Sequence, residues 1–260
     1  MCTLRKFVPL ASQLLLLVAL VAHPGEACAD RRIFGWSYPY MTLPAGGFEL
    51  EHYLDAAFSG TDDPGTTDKV EDALRPSWKH QVEAEYAITD RWDFGLYQVF
   101  SQKPHASLTY EGTKLRSRYR FVDQGTWPVD LSLYGEVKYY GDEVGFEQIV
   151  ILSRVFGPVE LVVNAKFEQG LDLDSDEVEY EIIPSFGAGY HVTEWFAAAL
   201  EYQGKLAIEE GETGDMLHFV GPSVSFSGRR FWWTLSYGHQ VSGLSEGADF
   251  QVRSIFAVGF

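Results

Sequence analysis

The sequence predicts an all-β chain closed into a single antiparallel transmembrane β-barrel of about twelve strands. Three observations predict it. From Gly46 to the last residue, apolar and polar side chains alternate with period two, the period of a strand. Most alternating segments run 11 to 15 residues, against roughly 5–6 in soluble sheets and about 9–11 for a tilted strand crossing a bilayer. Tight turns also alternate with longer acidic connections along the chain, as in barrels with short turns at one rim and loops at the other.

Residues 1-29 read as a cleaved secretory signal: Arg5 and Lys6 form the positive start, Phe7 to Ala22 the apolar core, and "ACA" the A-x-A site before Asp30. The sixteen-residue core is short of the roughly 20 residues a spanning helix needs. Both cysteines, Cys2 and Cys28, fall in this segment, so the mature chain from Asp30 is exported without a possible disulfide. Residues 30-45, "DRRIFGWSYPYMTLPA", fit no strand. They lie in the periplasm as a lead, or enter the barrel as a plug with Trp36 and Tyr38 packed inside.

The barrel occupies 46-260. Its first strand, 46-58, sets Phe48, Leu50, Leu54, Ala56 and Phe58 on one face and Glu49, Glu51, Tyr53 and Asp55 on the other. The same rule places strands at 77-88, 92-102, 114-122, 129-141, 144-156, 159-170, 178-192, 196-206, 216-227, 231-241 and 250-260. The tight connections are 89-92, 122-128, 156-158, 193-195 and 227-230; on the other side lie 59-76, 102-113, 142-143, 171-177, 207-215 and 242-249.

Two counts separate the rims. The six loop-side segments carry a formal charge of −15, whereas the five tight turns sum to zero. Five of seven tryptophans, Trp92, Trp127, Trp195, Trp232 and Trp233, fall at the tight-turn ends, where indoles suit a membrane interface. A soluble sandwich or lipocalin-like barrel would bury the apolar face instead, but it explains neither the strand lengths nor an apolar stripe kept to a terminal Phe260. With an even strand number, both termini are expected in the periplasm of a Gram-negative cell, after export through the Sec pathway.

The last strand, "FQVRSIFAVGF", resembles the C-terminal signal by which bacterial outer-membrane barrels are recognised by the barrel-assembly machinery: Phe256, Val258 and Phe260 match it and Ser254 departs from it. The stretches 33-53 and 86-97 resemble a small uncharacterised proteobacterial outer-membrane barrel family. These resemblances imply the barrel fold, the outer membrane as location, and outer-membrane lipid, lipopolysaccharide and the assembly machinery as partners. They imply no activity.

The lumen-facing register carries the chemistry. Lys114, Arg116, Arg118 and Arg120 share one parity and form a basic ladder. An acidic wall comprises Glu49, Glu51, Asp55, Glu83, Glu85, Glu179 and Glu181. Such a ladder facing acids would set a transverse field across a wet pore. The other reading has Arg116 to Arg120 bonded to Asp93, Asp130 and Glu136 on adjacent strands, filling the interior. Strand charges sum to about −4, so an open pore leans weakly toward cations.

The leading functional expectation is therefore a narrow passive, porin-like channel transporting small polar solutes. A plugged structural or surface-interaction barrel is the alternative. A membrane hydrolase is the remote one: "YGHQVSG" resembles the H-x-S-N-G motif of outer-membrane phospholipase A, but His239 and Ser242 have one residue too many between them and His239 faces lipid, so no enzyme is expected. His191 and Glu201 are potential neighbours across a turn, without a third partner. "DLDSDE" (172-177) lacks the glycine and distant bidentate glutamate of a calcium loop and reads as solvated. No phosphate-cradling glycine loop and no His/Cys cluster with metal spacing is present, so no cofactor or metal is expected. Nucleic acid is excluded as a partner by charge: removing Arg5, Lys6 and Glu26, net +1, from the formal −17 leaves −18 on the mature chain.

Overall fold

The alternating segments become strands because each has one face to give to lipid and one to keep inside. The computed structural model describes residues 32–58, 76–175, 177–209, 211–242 and 248–260. The signal segment and nearly all of the 59-76 loop lie outside the described residues. The strands are β1 (Phe48–Phe58), β2 (Ser77–Thr89), β3 (Trp92–Gln102), β4 (Thr109–Arg120), β5 (Asp130–Tyr139), β6 (Glu143–Phe156) and β7 (Val159–Asp172). They continue with β8 (Val178–His191), β9 (Phe196–Glu209), the two-residue β10 (Glu212–Thr213), β11 (Leu217–Ser227), β12 (Phe231–Ser242) and β13 (Phe250–Gly259).

Every neighbouring pair is antiparallel, and β10 merely extends the end of β9. The other twelve strands close on themselves through the β13–β1 seam, with Leu50 opposite Val258 and His52 opposite Phe256. Closure leaves no free sheet edge, the requirement for a sheet in a solvent that offers no hydrogen bonds. At the seam Phe260 N–H donates to Phe48 O over 2.9 Å, and the two rings lie 5.8 Å apart.

The twelve expected strands lie within three residues of those observed, except that β4 starts five residues earlier. The reason is a β-bulge. Val99 pairs with Gly112 but Phe100 with Tyr110, so Glu111 is skipped and the alternation read from sequence is broken there. A side chain at Gly112 would come within 2.0 Å of Tyr139 O, so the bulge needs glycine.

The outer face is apolar and uncovered: Leu115 and Leu200 are 55% and 57% exposed, with Val137, Val163, Ile182 and Val241 on the same surface. A patch of this extent is a lipid surface, not a water-facing one. The inner face is divided. On β2 to β4 it is charged; on β5 to β9 it carries buried Tyr134, Ile149, Ile151, Val162 and Ala197 beside the charged Glu136, Lys138, Glu147 and Glu201. The first five are covered by the N-terminal segment, whose Ile33, Phe34 and Tyr40 complete one cluster with them.

Candidate functional site: the barrel interior

The ladder of β4 is fully engaged. Gly95 of β3 sits directly opposite Arg116, and a Cβ there would meet Glu83 Oε1 at 2.0 Å and Arg116 Nε at 2.6 Å. The missing side chain opens a corridor across β3, so Arg116 reaches β2. Its guanidinium pairs with Glu83 (2.7 Å), Glu85 (2.5 Å) and Asp93. Arg118 pairs with Glu85 (3.1 Å) and Asp93 (2.9 Å). All five side chains are buried, and multidentate guanidinium–carboxylate geometry of this kind is what makes a buried network tolerable.

The ends of the ladder go elsewhere. Lys114 pairs with Glu136 at 3.2 Å, and Arg120 Nε donates to Asp90 O at 2.7 Å while reaching Asp123 at 3.6 Å. The sequence reading that Asp130 and Glu136 would serve the arginines is corrected here. Glu136 stands opposite Arg116 in register but takes the lysine, because the Gly95 corridor offers Arg116 three carboxylates at once. Asp130 accepts the Gly125 N–H at 2.7 Å, closing the adjoining turn.

The acidic wall is split in the same way. Glu49 accepts from Trp232 Nε1 at 2.9 Å, and Glu51 is buried beside it. Asp55 holds Arg253 bidentately at 2.5 and 3.0 Å. Glu181 pairs with Lys205 at 2.8 Å, whereas Glu179 is exposed at the loop end of β8 and joins no buried group.

Residues 32–43 lie inside the barrel. Their anchor is Glu201 on β9, a residue that sequence reasoning set beside His191. His191 instead meets Glu160 at 3.1 Å, since an antiparallel turn places it opposite Ala197 and leaves Glu201 four residues further along the strand. The Glu201 carboxylate accepts three consecutive main-chain N–H groups, from Gly35 (2.7 Å), Trp36 (2.9 Å) and Ser37 (2.9 Å), and the Ser223 hydroxyl. Successive amides converging on one carboxylate form an anion nest turned inside out, with the charge supplied by the wall.

Further along, Asn164 takes the Tyr38 N–H at 2.5 Å and returns a bond to Tyr38 O at 3.2 Å. Arg253 lies 4.3 Å over the Trp36 ring. Tyr40 donates to Val122 O, and burial holds its hydroxyl above its ordinary pKa, keeping it a donor. Glycines make the room: a Cβ on Gly187 would meet Phe34 at 2.6 Å, on Gly189 Ile33 at 2.3 Å, and on Gly35 the Ser236 hydroxyl at 2.2 Å.

Above this segment, toward the loop end, a cavity of about 360 Å³ remains, with Trp36 and Tyr38 at one end. Its charged lining is Lys79, Lys114, Lys138, Lys166, Lys205 and Arg253 with Asp55, Glu147, Glu168 and Glu181. Lys138 and Lys166 share Glu147 and Glu168; Lys138 lies 3.1 Å from Glu147, and Lys166 lies 3.7 Å from Glu147 and 2.7 Å from Glu168. On the other side of Tyr38, beside Arg116 and Arg118, the free space shrinks to about 20 Å³, room for about one water.

Other sequence candidates stand apart from this interior. His239 is exposed on the outer face with its ring against Tyr237 (hydroxyl to Nδ1, 3.1 Å), while the Ser242 hydroxyl donates to Met216 O, so the two form no dyad; Gly243 lies outside the described residues. In the 171-177 connection, Asp172 accepts the N–H groups of Asp174 (2.9 Å) and Ser175 (2.8 Å), an ordinary Asx turn at the surface. His52 is on the outer face, its Nε2 3.3 Å from His80 Nδ1.

The wall compares with solved structures over nearly its whole length. An outer membrane channel of the COG4313 group from Pseudomonas putida F1 superposes with a TM-score of 0.62, covering 85% of this chain and 98% of that one at 11% identity. The chain has the fold of an outer-membrane β-barrel. The NanC porin (TM-score 0.53, 8% identity, 82% and 98% covered) and the KdgM porin (0.51, 7%, 82% and 99%) share it. At these identities the likeness is one of fold. No known family profile and no curated protein matches the sequence.

Proposed function

We propose that this chain is a porin-like outer-membrane channel for small polar solutes, with its constriction set by residues 32–43 and not by the basic ladder. The observation that carries this reading is the cavity of about 360 Å³ inside a closed wall, charged on its sides and ended by a segment that is held through hydrogen bonds and packing. A constriction made of a separate segment can vary in width without disturbing the wall. The ladder, in contrast, is spent on ion pairs that brace β2, β3 and β4. Any weak cation preference then comes from the acidic loop-side segments, because the cavity lining carries six basic and four acidic groups.

Single-channel recording in planar bilayers tests the reading. The intact barrel is expected to conduct in small steps, and the barrel lacking residues 32–43 in markedly larger ones; a silent deletion variant would refute it. The second reading, a plugged barrel acting through its loops, is favoured by the narrow space of about 20 Å³ beside Arg116 and Arg118. It predicts an intact protein without conductance, and deletion of the segment as the only way to open it.

A further inference from the structure

Of the six cations that line the large cavity, five are matched by carboxylates. Asp55 holds Arg253, Glu181 holds Lys205, Glu136 holds Lys114, and Glu147 and Glu168 hold Lys138 and Lys166 between them. Lys79 of β2 is the sixth. Among the described residues, no carboxylate comes within ion-pair distance of its ammonium.

The register explains why. Asp55 lies between Arg253 and Lys79, one on each neighbouring strand, and the guanidinium takes both of its oxygens, at 2.5 and 3.0 Å. On the other side Ser101 stands opposite Lys79 but gives its hydroxyl to Glu111. Glu143 and Glu179 lie at the loop ends of β6 and β8, outside the lining. The ammonium is left exposed to the cavity, with the Tyr140 ring 5.9 Å away.

A second observation comes from the inner segment. Trp36, 8% exposed, lines the same cavity, and its indole Nε1–H has no hydrogen-bond partner. A buried donor without an acceptor is costly, and the Arg253 guanidinium 4.3 Å over that ring supplies none. Lys79 asks for a negative charge and Trp36 for an acceptor oxygen. Around them the lining adds the amides of Gln81, Gln203 and Gln251, which both donate and accept.

We propose that the cavity binds small hydroxylated monocarboxylates, with the carboxylate on Lys79 and the remaining oxygens on the Trp36 N–H and the glutamines. This rests on the reading of the barrel as a solute channel and names the solute class. The volume of about 360 Å³ falls within the roughly 300–1,000 Å³ of small-molecule sites. One surplus ammonium suits one carboxylate; a second would go unmatched inside and be repelled by the acidic loop-side segments. A single flexible lysine also holds its ligand loosely enough for the ligand to leave, as passage requires.

D-Glucuronate, a hydroxylated monocarboxylate, is the probe. Saturation-transfer NMR on the purified barrel in detergent reads its binding without requiring conduction. Glucuronate is expected to bind more tightly than glucose, which has no carboxylate, and than glucarate, which has two. Lys79→Met should weaken binding about tenfold or more. Trp36→Phe, which keeps a ring and loses the N–H, should weaken it about threefold, and Glu179→Gln should leave it unchanged. Heat-modifiable gel migration checks folding, and the ranking of the three solutes with Trp36→Phe decides the matter where Lys79→Met does not fold. Unchanged affinity in Lys79→Met, or glucose or glucarate binding as well as glucuronate, would overturn the proposal. Glucuronate binding to a barrel that passes no current would keep the site and refute the channel; current without glucuronate binding would do the reverse.

Discussion

Removing the Glu201 carboxylate should undock the inner segment without dissolving the wall. In Glu201→Ala the main-chain N–H groups of Gly35, Trp36 and Ser37 lose their acceptor together. A buried donor without a partner costs about 1–3 kcal/mol, so the three would cost roughly 3–9 kcal/mol if the segment stayed in place. The chain has a cheaper course. The backbone of residues 32–43 runs into β1 through the Gly46 turn, and the segment can leave while β9 keeps its full ladders to β8 and β11.

The assay is thiol labelling of a cysteine placed at Ser37, a position with no exposure. The sequence has no cysteine after Cys28, so the barrel itself contributes no background. At 1.4 kcal/mol per decade, a loss of 3 kcal/mol should speed labelling about 100-fold. Single-channel conductance should rise in step, and Glu201→Gln, which keeps one acceptor oxygen, should fall between. Labelling within threefold of wild type would refute the latch. Fast labelling with unchanged conductance would keep the latch and refute the segment as the constriction.

Two further outcomes test the wall. Gly95→Ala would set a methyl group 2.0 Å from Glu83 Oε1 and 2.6 Å from Arg116 Nε, breaking the buried network at a cost of about 3–5 kcal/mol; urea unfolding from lipid vesicles followed by tryptophan fluorescence should show it, and a loss below about 1 kcal/mol would mean that the pairs do not pass over this position. Deleting Phe260 removes the N–H bond to Phe48 O and the ring contact that closes the β13–β1 seam; the fraction assembled in the outer membrane should fall, and an unchanged yield would count against Phe256, Val258 and Phe260 as the assembly signal.

The wall was legible because period two has no competitor over segments of this length. Glu49 and Glu51 must point where Phe48 and Leu50 do not, and the structure sets them inside. Parity, however, names a face and not a partner. It put Arg116 in the interior but could not show that Gly95, on the neighbouring strand, lets it pass over β3 to Glu83. It also missed the β-bulge opposite Val99, since the skipped Glu111 displaces the parity of Thr109 and Tyr110 from that of the rest of β4.

The interior segment left a signal of a different kind, carried by the residues opposite it. In a barrel whose lumen held only water, the inward positions of β6 and β8 would be polar. Yet "IVIL" at 149-152 is apolar on both faces, and inward Gly187 and Gly189 carry no side chain at all. A strand apolar on both faces is covered on both. Lipid covers one face here, and among the described residues the cover of the other is Ile33, Phe34 and Tyr40. The breaks in alternation therefore mark where 32–43 docks, and the charged inward positions of β2 to β4 and of the loop-side halves of β5 to β7 mark what it leaves to ion pairs. Two halves of one lumen were written in the same strands, one by obeying the period and one by departing from it.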